Sequence, residues 1–381
     1  MKIMYVVPEG IDLGGIIYSS EYIVAGLKSL GHEVTFNLLR PFGKESLESR
    51  QNSNLRYTIG IGTGLPMNPL RGWRGTSFLG MNKMGFAKLV KQTQEVDLVV
   101  WGSLYGLKTK ITEPTKEWIN LFQAIKTPMF CFVRDDHMAG RASWIAELDP
   151  YVKAWLCVQP CSLQSVEHLT APRFLVYSGH DVSQQTGGVY ETRKRQICVV
   201  QSFKSWKNSE LLVAAVPKIN GKVILAGDGI IRRYMASKDK TKFFNSDGEA
   251  IWNVALRNGM EWHGVINDKE RTALLNESLF LVDLSKRGPH GQINRIVVEA
   301  MLAGCVPICV SEFIEKAGFT PRRNFLPIGL QAVAEQINFY LDNITPDIYG
   351  KMQEVNRQLV SKFSHITSAQ RIVDIYEQGS H

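Results

Sequence analysis

The chain has little that would anchor it in a membrane or staple it together. No apolar run among its 381 residues approaches the roughly 18–20 that a membrane-spanning helix needs. The opening segment, MKIMYVVPEG, carries an apolar stretch of only about five residues before Pro8-Glu9-Gly10, too short for a secretory signal. Six cysteines form no disulfide framework. Cys157/Cys161 and Cys305/Cys309 are closely spaced, but no histidine pair at zinc-finger spacing accompanies them. They lie in or beside apolar runs (AWLCVQPC, GCVPICV) and read as small core residues of a protein in a reducing cytoplasm.

Acidic side chains are missing from three stretches. Residues 49–94 carry seven basic side chains (Arg50, Arg56, Arg71, Arg74, Lys83, Lys88, Lys91) and no acid. Residues 192–209 hold Arg193, Lys194, Arg195, Lys204 and Lys207, and residues 316–334 hold Lys316, Arg322 and Arg323, again without an acid. With a net charge of +8, this clustering suits a polyanionic partner: nucleic acid, an anionic membrane surface or the phosphates of a small ligand. An ordinary basic surface accounts for any single cluster equally well.

What is present is the composition of a globular protein, 44% hydrophobic and 21% charged, and a length that suits two domains of roughly 150–200 residues. The chain opens as strand (3–8), glycine turn (12–15), helix (18–30) and strand (33–38). Further buried strands are expected at 98–101, 129–133, 154–158 and 174–177, with helices such as 116–125 and 162–169 between them. The polar stretch 178–195 reads as a linker, after which the alternation restarts at 197–200. Alternating strands and helices imply an α/β fold with parallel sheets, and two such halves imply two Rossmann-like domains facing a cleft. The expected division is 1–180 for the acceptor domain, 181–195 for the linker and 196–365 for the nucleotide-sugar domain. A C-terminal helix and tag-like tail would follow over 366–381.

Chemistry concentrates in the second half. Residues 222–229, KVILAGDG, form a buried strand ending in Gly227-Asp228-Gly229. Trp262-His263-Gly264-Val265 runs into a capped helix at Asn267-Asp268-Lys269-Glu270. Residues 295–310, RIVVEAMLAGCVPICV, place Glu299 on a helix that ends at Gly304 and leads straight into a strand. In the first half, Gly14-Gly15 precedes a helix that closes on Gly31-His32-Glu33-Val34. This order of motifs resembles family 4 glycosyltransferases of the GT-B fold, with the best match over residues 197–311.

The resemblance implies a retaining transferase whose co-substrate is a UDP-sugar and which needs no metal or other cofactor. The chain contains no Asp-x-Asp triplet. Gly14, Gly15, Gly227 and Gly229 would let backbone approach the donor, and a helix N-terminus favours its negative charge. Glu299 takes the place of the family glutamate that holds the ribose hydroxyls. Lys207 matches the lysine that neutralises the departing diphosphate, but Ser202 stands at the family arginine, with Lys204 or Arg295 as replacements. The family's first glutamate, which touches the donor sugar, falls on Gly291, so glucose and a pentose such as arabinose both remain open.

A second resemblance is narrower. Residues 130–147, FCFVRDDHMAGRASWIAE, place Asp135-Asp136-His137 after a buried strand, with Arg141 close behind. This resembles phage DNA α-glucosyltransferases, as does Ser205-Trp206-Lys207, and implies double-stranded DNA with hydroxymethylcytosine as acceptor, inside the host cytoplasm. Asp136 would orient or deprotonate the acceptor hydroxyl with support from His137. The alternative for both is a helix cap and a polar loop. Arg71-Gly72-Trp73-Arg74-Gly75 suits phosphate contacts plus stacking on a base, or a surface loop whose Trp73 packs back. Arg141, Arg193, Lys194 and Arg195 complete the expected nucleic-acid surface. Two other readings stand beside this one: a membrane-associated transferase building an envelope glycan, and an inactive DNA-binding protein on the same frame.

Overall fold

The computed structural model describes residues 1–7, 15–38, 58–59, 83–104, 108–109, 113–114, 116–134, 142–181, 188–201, 207–227, 247, 249–285, 293–315 and 318–379. The chain divides into two compact units, one formed by Met1–Asp181 with Lys362–His381, the other by Val182–Ser361.

In the first unit, strand β1 (Lys2–Val7), helix α1 (Gly15–Ser29) and strand β2 (Glu33–Leu38) follow one another as the opening pattern implies. Then come β3 (Thr58–Ile59), α2 (Lys83–Thr93), β4 (Leu98–Trp101), β5 (Lys108–Thr109) and β6 (Glu113–Pro114). The unit continues with α3 (Lys116–Ala124), β7 (Met129–Val133), α4 (Ala142–Leu148), β8 (Ala154–Cys157), α5 (Pro160–Ser165) and β9 (Arg173–Leu175). Seven strands form one sheet in the order β3-β2-β1-β4-β7-β8-β9, with every pairing parallel.

Its central strands β4, β7 and β8 are buried at every position because both faces of the sheet are covered there. Ile3, Tyr5 and Val7 enter one core while Met4 and Val6 enter the other, the two-residue period of a strand. Phe130 and Phe132 of β7 divide from Met129, Cys131 and Val133 in the same way.

In the second unit, β10 (Lys194–Val200), α6 (Ser209–Ala215), β11 (Lys222–Ala226), α7 (Ile251–Arg257), β12 (Met260–Trp262) and α8 (Asp268–Glu277) come first. They are followed by β13 (Ser278–Asp283), α9 (Arg295–Leu302), β14 (Val306–Val310), α10 (Ser311–Ile314), β15 (Leu326–Ile328), α11 (Val333–Asn343) and α12 (Pro346–Val360). The sheet order is β12-β11-β10-β13-β14-β15, again parallel throughout. The chain builds outward from β10 to β12 and then returns to lay β13 on the other side of β10. Open α/β sheets bind ligands at the carboxyl ends of the strands that flank such a reversal, here β10 and β13.

Local chemistry sets the helix ends that matter. Asn267 and Glu270 form a reciprocal capping box at the start of α8. Gly304, at φ 72°, ends α9, and Cys305 N donates to the Ala300 carbonyl at 2.8 Å before β14 begins.

The expected linker already contains structure: a short 3-10 turn at Tyr190–Thr192 and the first residues of β10. The C-terminal helix α13 (His365–Gln378) returns to the first unit, where Ala369, Ile372 and Val373 share a core with Ile23 and Leu27 of α1. Gly26 permits that approach, since a Cβ there would lie 2.5 Å from the His365 carbonyl oxygen. Among the described residues no helix is long and apolar enough to cross a membrane.

Candidate functional site

Of the residues singled out in the second half, Gly227, Gly264 and Lys207 follow the carboxyl ends of β11, β12 and β10. β11 is followed by Gly227, with φ 143°, and β12 leads into Gly264, with φ 64°. Gly227 N donates to the Gly264 carbonyl at 2.7 Å, so the two glycine turns are tied together. β10 is followed by Gln201, whose Nε2 donates to Ser209 Oγ at 2.8 Å. Lys207 is buried, two residues before α6.

β13 ends on Asp283, a buried carboxylate that organises its surroundings. One oxygen accepts from Ser285 N at 3.0 Å and from the Ser285 hydroxyl, and the other accepts from Asn294 Nδ2. Asn294 is the residue before α9. Asp283 thereby links the end of β13 to the start of the helix that carries Glu299. A buried carboxylate demands such partners, because desolvation without them is costly.

Glu299 lies on the second turn of α9, half-buried between two guanidinium groups. Arg295 Nε meets its Oε1 at 2.6 Å and Arg271 Nε meets its Oε2 at 2.9 Å. Arg271, on α8, also places Nη1 2.8 Å from Asp268 Oδ1. Arg295 and Glu299 belong to a motif visible in the sequence, whereas Arg271, Asp283 and Asn294 belong to none. The available signal for Arg271 was its place one residue after the capping box.

The basic run at the head of β10 requires a correction. Arg193, expected to face nucleic acid, is buried. Its Nη1 donates to the carbonyls of Leu275 at 2.9 Å and Ser278 at 2.8 Å, Nε donates to Gly188 O at 3.0 Å, and Nη2 donates to Ala303 O. The guanidinium also lies over the Tyr349 ring at 5.9 Å. It is a clamp inside the second unit, and no face of it is presented to a polyanion. Lys194 and Arg195 are exposed and pair with Glu277 and Asp342 at 2.5 Å each. They stand at the amino-terminal edge of the sheet, opposite the edge that carries Glu299.

In the first unit, Gly15 opens α1. The residue after β7 is Arg134, also passed over in the sequence, and it is buried. Its Nη2 donates to Tyr5 OH at 3.2 Å and Ser20 Oγ at 3.1 Å, while Nε and Nη1 reach Gly102 O and Ser19 Oγ. Burial pushes the Tyr5 phenol up despite the neighbouring guanidinium. A fixed cation thus ties β1, β4 and α1 together directly before Asp135. Gly14, Arg71, Trp73, Arg74, Asp136, His137, Arg141, Lys204 and Gly229 lie outside the described residues.

No protein-family model and no curated protein matches the chain. Solved structures do. HepE of Anabaena (Alr3699), in complex with UDP and glucose, is similar over 99% of this chain and 100% of its own, at 16% identity and a TM-score of 0.72. A glycosyltransferase from Rickettsia africae ESF-5 is similar over 100% of this chain and 98% of its own, at 15% identity and a TM-score of 0.67. An α-glucosyltransferase in complex with UDP-glucose and DNA containing an abasic site is similar over 99% of each chain, at 12% identity and a TM-score of 0.66. Likeness at these identities is likeness of fold, and it extends over both units. The chain has the GT-B glycosyltransferase fold.

Proposed function

We propose that the chain is a retaining glycosyltransferase that moves glucose or a pentose such as arabinose from a UDP-sugar to a hydroxymethylated pyrimidine in phage DNA. The donor half of this reading rests chiefly on Glu299, an oriented carboxylate on the helix that follows β13, the strand next to the reversal in sheet order. It is supported by HepE and the α-glucosyltransferase, both solved with UDP-glucose.

Glu299 accepts hydrogen bonds from the ribose hydroxyls. Gly14, Gly15, Gly227 and Gly229 admit the backbone close to the diphosphate, and Lys207, with Lys204 or Arg295, offsets its charge. A buried lysine acts on a phosphate in a medium of low polarity, where the same charge counts for more than in water. The acceptor oxygen forms a bond to the anomeric carbon on the face from which UDP departs with the bonding pair, and its proton passes to the departing phosphate oxygen. Asp136 orients the acceptor hydroxyl and His137 supports Asp136.

The DNA half rests on the DNA complexes of the α-glucosyltransferase, one of them with a 13-mer containing a HMU base, and on the acid-free stretch 49–94. Arg71, Trp73, Arg74 and Arg141 would meet the phosphates and an unstacked base. Lys194 and Arg195, at the far edge of the sheet, would serve only DNA that wraps further. A second reading keeps the same donor half and takes a cell-envelope glycan, not DNA, as the acceptor, with the basic stretches lying on an anionic membrane.

Transfer of labelled sugar from UDP-glucose and UDP-arabinose to duplex DNA, with and without hydroxymethylcytosine, tests the proposal. An adduct found by mass spectrometry only on the modified DNA supports it and names the sugar. UDP binding without any adduct would shift the acceptor to a glycan. Absence of UDP binding would remove the donor half as well.

A further inference from the structure

Glu299 and Arg295 lie one turn apart on α9 and would form an ion pair without help from elsewhere. The second guanidinium therefore needs a reason. Arg271 comes from α8 and takes the other carboxylate oxygen, and its own orientation is set by Asp268. The start of α8 is pinned in turn: Asn267 Oδ1 accepts from Glu270 N at 3.0 Å and Glu270 Oε2 accepts from Asn267 N at 2.7 Å. The result is an alternating chain, Asp268-Arg271-Glu299-Arg295, whose last three side chains are only 17%, 15% and 18% exposed.

The terminal torsion of a glutamate is broad, and one partner on one oxygen leaves the carboxylate plane free to swing. An N–H on each oxygen, delivered from two separate helices, fixes that plane. A carboxylate has about four acceptor sites, so two guanidinium contacts are compatible with a bidentate contact to a vicinal diol. Such a contact uses both oxygens at once, and it discriminates best when the plane cannot turn.

The geometry points to Arg271 as the positioning residue that holds Glu299 for a ribose diol, and so as a determinant of selectivity for a ribonucleoside diphosphate over its 2′-deoxy counterpart. Arg271 acts through Glu299. The inference rests on the donor-site reading of Glu299 given above.

Calorimetric titration of the full chain with UDP and with 2′-deoxy-UDP tests it, with wild type, Glu299→Gln, Arg271→Gln and Arg271→Lys compared and the melting temperature of each recorded. Wild type should prefer UDP by about tenfold, the loss expected for one hydrogen bond to a charged group, and Glu299→Gln should erase the preference. Arg271→Gln should bring the preference to within about threefold of unity by weakening UDP while 2′-deoxy-UDP changes little. Arg271→Lys should restore part of it. A merely structural loss would weaken both nucleotides alike. Asp268→Asn, at an exposed side chain, should lower the same ratio in part and provides the readout if Arg271→Gln does not fold. A wild-type ratio in Arg271→Gln, or in Asp268→Asn where that is the readout, beside a collapsed ratio in Glu299→Gln would overturn the inference and leave the donor site standing. UDP bound with no preference in wild type would also overturn it. No UDP binding at all would instead remove the donor-site reading beneath it.

Discussion

Asn208 reaches across the switch point of the second sheet: its Nδ2 donates to the Leu284 carbonyl at 2.8 Å, joining the residue before α6 to the end of β13. Its backbone is left-handed, at φ 49°, a conformation asparagine tolerates better than most residues. Asn208→Ala should lose both the hydrogen bond and the conformational ease, lowering stability by about 2 kcal/mol. Asn208→Gly keeps the conformation and should lose only about 1 kcal/mol. Urea denaturation of the three proteins checks the order, and equal losses would show that backbone conformation contributes nothing here.

Arg193 is a structural cation, and its substitution should behave as one. Arg193→Gln removes donors from several buried carbonyls and should cost about 3 kcal/mol or more. Under the proposed function, the folded variant should keep the wild-type dependence of DNA affinity on salt, because no phosphate contact is lost. A slope reduced by about 1 would mean that Arg193 touches DNA after all.

Lys207→Ala tests the leaving-group role under the proposed function. The turnover rate should fall by about 100-fold or more, the effect typical of losing one group that stabilises developing negative charge. Binding of uridine, which lacks the diphosphate, should be unchanged. Weakened uridine binding would point instead to disruption of the buried segment around Lys207.

Asp149 provides a pH prediction. Burial pushes its carboxyl up, but hydrogen bonds from Thr170 and Trp155 and from the backbone of Thr170 and Ala171 outweigh this, and its pKa is lowered. A carboxylate held below its unfolded value of about 3.9 adds stability that is fully present above that value. The contribution is lost as pH falls through the folded value. Asp149→Asn sets an amide N–H against the donors that now reach the carboxylate and should cost about 2 kcal/mol at pH 7. The gap between the two proteins should narrow below about pH 4. A gap that stays constant from pH 7 to pH 3 would deny the carboxylate this role.

How much of this was legible beforehand varies with the range of the interactions involved. The strands at 98–101 and 129–133 match Leu98–Trp101 and Met129–Val133, because a strand buried on both faces is a short apolar run between turns. The capped start of α8 and the glycine end of α9 were equally plain, since both depend on residues three to six apart. Helices α2 and α4 were not anticipated, nor was β15, a three-residue strand at the sheet edge. Such short or polar segments owe their form to the neighbours they pack on.

The arginines mark the boundary most clearly. Arg193, Lys194 and Arg195 are consecutive and carry the same charge, so along the chain they differ in nothing but position and show only a basic segment. Tertiary structure sent Arg193 into a ring of carbonyls drawn from residues as far away as Ala303 and left the next two beside surface carboxylates. Arg134 and Arg271 likewise acquire meaning only from distant partners, Tyr5 and Glu299. The periodicity of the elements, the glycine turns and the helix that carries Glu299 are legible along the chain because they follow from residues a few positions apart. Which cations are buried, what they hold and where the C-terminal helix packs were decided only by the folded structure, because hydrogen bonds and packing across tens to hundreds of residues form only once the sheets are assembled.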